Sequence, residues 1–172
     1  MSHTALRLDA PGDAAGGVLV IGYGNTLRSD DGVGWHAAGL LADDPRLAGV
    51  EVVASHQLTP ELSFDMRRAS LVILIDASTE GPPGAITVRR LEGDDVGAAG
   101  GGGGVTSHHV GPGVLLSLAR DLYGAAPDAF VVSVGTATME LGEELSPPVA
   151  AALPAIADAV VGLVAAHRRS PG

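Results

Sequence analysis

Three short segments of this 172-residue chain carry side chains able to bind a cation or move a proton. The first is Gly22-Tyr23-Gly24-Asn25-Thr26-Leu27-Arg28-Ser29-Asp30-Asp31-Gly32-Val33-Gly34, where a glycine turn delivers paired carboxylates to the start of a helix. The second is Leu71-Val72-Ile73-Leu74-Ile75-Asp76, a fully apolar run that ends in a carboxylate. The third is Thr106-Ser107-His108-His109-Val110-Gly111, an imidazole pair introducing another helix. Two carboxylates and one imidazole, completed by water, suit a divalent transition metal. A permanent zinc site would recruit more histidine or thiolate. Chemistry alone leaves His108 and His109 interchangeable.

Strand, Gly-x-Gly turn and helix also outline a dinucleotide loop, but the details oppose it. Leu27 stands where the third glycine belongs, and two aspartates at the helix start would repel a pyrophosphate. The next strand ends at Ser55-His56, without the acidic residue that would hold a ribose. The chain has no cysteine, so disulfides, thiolate ligands and a thiol nucleophile are excluded. No serine lies in a Gly-x-Ser-x-Gly elbow. A net charge of −10, with arginine as every one of the ten basic residues, argues against nucleic acid and anionic membranes as partners.

The elements that must position these groups alternate. Gly17 to Tyr23 reads as a strand buried on both faces, followed by a helix from about Asp30 to Ala42, with Ser29 as a good N-cap. Val50 to Ser55 is a second strand, and Thr59-Pro60 opens a helix to about Arg68. Ser70 to Ile75 is a third strand ending at Asp76. Ala85 to Arg90 is a half-exposed edge strand, Val110 to Leu122 a helix, and Ala129 to Gly135 the last core strand. Ser146-Pro147 caps a final helix whose apolar stretch, interrupted by Pro154 and Asp158, reads as packed on a sheet rather than crossing a membrane. The expected fold is α/β: one three-layer α/β/α domain around a mostly parallel sheet of about five strands. It spans 17–166, between a flexible leader at 1–16 and a tail at 167–172. The glycine-rich 97–105 segment is expected to be mobile, because it has little to bury against its ordering entropy. No signal peptide is expected, which places the protein in the cytoplasm.

In such a sheet, ligands bind beyond the carboxyl ends of the strands, where the strand order reverses. All three segments should converge on that edge. His56 and Gln57 could line the same cleft, with no role set by their chemistry.

The glycine-turn run resembles the signature of the hydrogenase maturation endopeptidases, nickel-dependent proteases that trim a hydrogenase large subunit. The similarity extends from about Val18 to Val164 and includes His56-Gln57-Leu58-Thr59-Pro60-Glu61-Leu62. The resemblance implies a metal site on Asp31, Asp76 and His108. It selects His108 over His109, because the following glycine then falls three residues on. Asp30 is left to the helix start, and its loss is expected to be milder. By the same resemblance, the substrate is a [NiFe]-hydrogenase large-subunit precursor. Its C-terminal extension would be removed after nickel insertion, with the nickel carried by the substrate; another divalent metal could take the site in vitro. The competing expectation is a nickel-binding maturation chaperone with the same ligands and no hydrolysis.

Overall fold

A computed structural model describes residues 6–7, 16–92 and 110–170. The strands are β1 (Leu6–Arg7), β2 (Gly17–Tyr23), β3 (Glu51–Ser55), β4 (Ala69–Ser78), β5 (Ile86–Arg90) and β6 (Asp128–Gly135). The helices are α1 (Val33–Ala42), α2 (Leu62–Met66), α3 (Pro112–Tyr123) and α4 (Pro147–Arg169), and a 3₁₀ turn at Ser29–Gly32 leads into α1. The strands form one sheet in the order β1-β3-β2-β4-β6-β5. β3, β2, β4 and β6 run parallel, and both edge strands are antiparallel to their neighbours.

The strand pattern explains the three layers. Along β2, Val18 and Val20 face one core while Leu19 and Ile21 face the other. β4 repeats this, with Leu71, Ile73 and Ile75 on the first side and Val72 and Leu74 on the second. An apolar residue at every position is what a sheet covered on both faces requires. α1 and α4 cover the first face through Val33, Ala37, Leu41, Val149, Ile156 and Val160. α2 and α3 cover the second through Leu62, Met66, Leu115 and Ala119. Each fully buried Leu, Ile or Val contributes about 1.5–3 kcal/mol of transfer free energy.

Several sequence expectations need correction. The expected three-layer α/β fold with its mostly parallel sheet is the one observed, but the leader is not wholly outside it, because Leu6–Arg7 pairs with β3 as a short sixth strand. That pairing covers backbone groups that β3 would otherwise leave open at an edge. Nor is the tail separate: α4 continues to Arg169, and the His167 ring lies 2.8 Å from Ser70 Oγ at the start of β4. α2 begins after Glu61, so Pro60 sits in the preceding turn rather than at the first helical position. α4 is long and apolar enough to cross a membrane by length and composition. Here it lies along the sheet, with Val149, Ile156 and Val160 completely buried, and Pro154 does not end it. The 97–105 segment lies outside the described residues.

Candidate functional site

The reversal of strand order falls between β2 and β4. From β2 the chain passes through α1 to β3 on one side, then returns through α2 to β4 on the other. The last β2–β4 pair is Gly22 with Ile75. Asp76 is therefore the first β4 residue beyond the reach of β2, and it borders the crevice. β4 does not end there as the sequence suggested, because Asp76, Ala77 and Ser78 still pair with Ser133, Val134 and Gly135 of β6. Asp76 is thus held on a rigid strand.

Two glycine contacts bring the other carboxylate to this place. Gly22 of β2 packs against Gly34 of α1 so closely that a Cβ on either would collide with backbone. Gly24 takes φ +151°, which disfavours any side chain, and its Cα lies against the Asp31 carbonyl. The turn is therefore pressed against the first turn of the helix. Asp31 Oδ2 accepts the Asn25 N–H at 2.9 Å, closing the loop on itself.

Asp31 and Asp76 act on a common residue that the sequence reading missed. Tyr23, the last residue of β2, points to the same face as Leu19 and Ile21, and its hydroxyl hydrogen-bonds to Asp76. Burial pushes the Asp76 carboxyl up to about 6, and the negative charge of Asp31 adds to that. The Tyr23 hydroxyl and the Ala77 N–H oppose the shift by donating to the ionised form. Tyr23 itself is pushed well above its ordinary value by burial first, then by Asp76 and Asp31, so it stays a donor. The signal that could have found it was its place between the two motif glycines.

Asp30 is turned away from this site. It is completely buried, and its side chain reaches the segment leading into α4. The N–H groups of Ala137 and Thr138 donate to Oδ2 at 2.8 and 3.1 Å, and the Ser146 N–H donates to Oδ1 at 2.7 Å. Ser146 Oγ donates to Oδ2 at 2.8 Å, so it does not cap its own helix. Burial works to raise the Asp30 carboxyl, but these four bonds together hold it below the ordinary value. Ser29, expected as an N-cap, instead donates its hydroxyl to the Glu140 carbonyl at 2.8 Å.

His108 and His109 lie outside the described residues. The chain is described again from Val110, which packs against the cluster that includes Tyr23. Among the described residues, no group of three or more His, Asp or Glu gathers as a metal site. His56 is exposed at the end of β3, stacked on Trp35 with ring centroids 4.4 Å apart and planes 6° from parallel. Gln57 is exposed beside it, and its carbonyl accepts the Ser55 hydroxyl at 2.6 Å. A pair of carboxylates, one of them pushed up to about 6, forms an oxygen donor set that a cation would stabilise.

No family model matches the chain, and no curated protein matches it either. Solved structures do. The hydrogenase 2 maturation peptidase from Thaumarchaeota archaeon SCGC_AB-539-E09 is 29% identical, with a TM-score of 0.64 over 87% of this chain and 98% of that one. The hydrogenase maturating endopeptidase HybD from E. coli is 25% identical, with a TM-score of 0.71 over 86% of this chain and 91% of the other. Another E. coli endopeptidase is 26% identical, with a TM-score of 0.64 over 84% and 89%. The chain belongs to the hydrogenase maturation endopeptidases, and is a peptidase of that family.

Proposed function

We propose that this peptidase removes the C-terminal extension of a [NiFe]-hydrogenase large-subunit precursor in the cytoplasm, after nickel has been inserted. Asp31, Asp76 and His108 would contact the nickel that the substrate brings, so that only a loaded precursor is seated for cleavage. The observation that carries this reading is the pair Asp31 and Asp76 at the switch point, electrostatically coupled and bridged to the fold by Tyr23. Two like charges held together are costly unless a proton or a cation joins them. Asp76, pushed up to about 6, exchanges its proton close to neutral pH. That suits a group that gives up a proton when a cation arrives, or that accepts one during hydrolysis.

The contributions of this chain are then orientation and proton control. Tyr23 holds the Asp76 carboxylate, the Asn25 N–H holds Asp31, and β4 fixes the position of Asp76 by pairing on its far side. His108 supplies the imidazole two residues before Val110.

The test is to incubate the pure protein with nickel-loaded and nickel-free precursor and to compare intact masses. The loaded precursor alone should lose its extension, and Asp31→Ala, Asp76→Ala and His108→Ala should each abolish the loss. Equal shortening of both precursors would remove nickel recognition from the reading. Shortening of neither would remove the substrate itself.

A further inference from the structure

A single exposed leucine on a soluble protein needs no explanation. Two leucines held side by side at the rim of a functional site do. Leu27 is 57% exposed and Leu141 is 82% exposed. The Gly142 N–H donates to the Leu27 carbonyl at 2.9 Å, and the Ser29 N–H donates to the Gly142 carbonyl at 2.7 Å. These two bonds make a parallel bridge between Arg28 and Gly142, which sets Leu27 in register with Leu141. Beneath them, the Ser29 hydroxyl and the buried Asp30 carboxylate tie the same two segments together. The exposure is therefore built in by the scaffold rather than being the slack of a loose loop.

The surroundings define what fits there. Glu140, Glu143 and Glu144 are exposed on the same segment as Leu141, and Arg28 is the one basic residue between Asn25 and Asp31 or between Ala137 and Ser146. The rim is thus acidic, on a chain of net charge −10. Leu27 also stands four residues before Asp31 in the same turn, so a polypeptide presented to Asp31 and Asp76 passes beside this edge.

We infer that the Leu27–Leu141 edge is the docking contact for the protein substrate, and that it receives an apolar segment flanked by basic side chains. The inference rests on the peptidase reading above and adds the recognition surface to it. Apolar contact would hold the complex, while the acidic rim would speed and orient its formation.

The test uses the full chain and nickel-loaded precursor, with binding and cleavage measured separately. In Leu27→Ser/Leu141→Ser, Kd and KM should rise about tenfold or more, the factor that about 1.4 kcal/mol of lost binding represents, with kcat unchanged. Replacing Glu140, Glu143 and Glu144 by Gln should slow association and flatten its salt dependence. Should the double variant fail to fold, Leu141→Ser alone, at the more exposed position, reads the same effect. Unchanged Kd and KM in a folded variant would overturn the inference, as would failure of the wild-type protein to bind precursor at all. Binding without cleavage, still weakened in the leucine variants, would sink the peptidase reading and leave this surface standing. A change in the sedimentation of the free protein would assign the edge to a second copy of the chain and overturn the inference.

Discussion

The Ser146 N–H donates to Asp30 Oδ1 across 2.7 Å, although 116 residues separate the two. This bond joins the start of α1 to the start of α4, and both helices cover the same face of the sheet. Adjacent aspartates consequently have separate tasks, Asp31 at the crevice and Asp30 in the frame behind it.

Asp30→Ala should destabilise the protein by about 3 kcal/mol or more, because it leaves three backbone N–H groups and a hydroxyl without their acceptor. Urea unfolding would measure it. A loss below about 1 kcal/mol would mean that water replaces the carboxylate. Acid should reveal the same contact. A carboxyl held below its ordinary value of 3.8 contributes stability that is complete above that value and lost as pH falls through the folded-state value. The stability difference between wild type and Asp30→Asn should therefore be constant near neutrality and shrink below about pH 4.

The two aspartates also show what a sequence makes legible. The strand-ending carboxylate of Asp76 was readable because a charge breaks an apolar run, and the α/β order followed from runs of buried-strand type alternating with helices. The glycines were readable because several unusual backbone positions coincide. The role of Asp30 was not, since three of its partners are backbone amides more than a hundred positions away, and amides carry no residue-type signal. Tyr23 was hidden for a related reason: a strand-ending tyrosine reads alike whether its hydroxyl meets water or a carboxylate. Pairing of Leu6–Arg7 with β3 depends on an open edge that appears only after the sheet has formed.

Asp76→Asn should give a more stable but inactive protein. The folded-state value, about 6, lies above the ordinary 3.8. The contribution of the wild-type carboxyl is therefore fully present below about pH 4 and lost as pH rises through 6. Asn carries no charge, so the advantage of the variant should open between those limits. Above them it should reach at most about 3 kcal/mol, because a tenfold change in proton affinity is worth about 1.4 kcal/mol. Denaturation at pH 4 and pH 8 checks it. Equal stability differences at both would show that Asp76 is not a strained ionised group.

Tyr23→Phe removes a hydroxyl that favours the ionised form of Asp76. Asp76 should then hold its proton to higher pH, and the acidic limb of the processing profile should move measurably upward. The fold should lose only about 1.5–3 kcal/mol, the usual contribution of a hydrogen bond to a charged group. A pH profile superimposable on that of the wild type would detach Tyr23 from the site, whatever the stability change.

Gly34→Ala and Gly39→Ala make a matched pair in one helix. A Cβ at Gly34 would run into the carbonyls of Ile75 and Tyr23, which belong to the two strands flanking the crevice. A Cβ at Gly39 meets nothing within 4 Å. Intrinsic helix propensity favours alanine at both positions by about 0.5–1 kcal/mol. At Gly39 that gain should appear in full, with processing unchanged. At Gly34 overpacking, typically about 1–3 kcal/mol, should outweigh it and push α1 off the sheet. Because Asp31 rides on the turn that opens α1 while Asp76 is fixed in β4, the shift should separate the two carboxylates. Processing in Gly34→Ala should therefore fall further than its stability loss accounts for, and the Asp76 carboxyl should titrate closer to its ordinary range as the charge of Asp31 recedes. Carboxyl titration by NMR and cleavage of the loaded precursor, run on both variants, decide the matter. If Gly34→Ala retains full cleavage, close contact between helix and sheet is not what holds Asp31 beside Asp76.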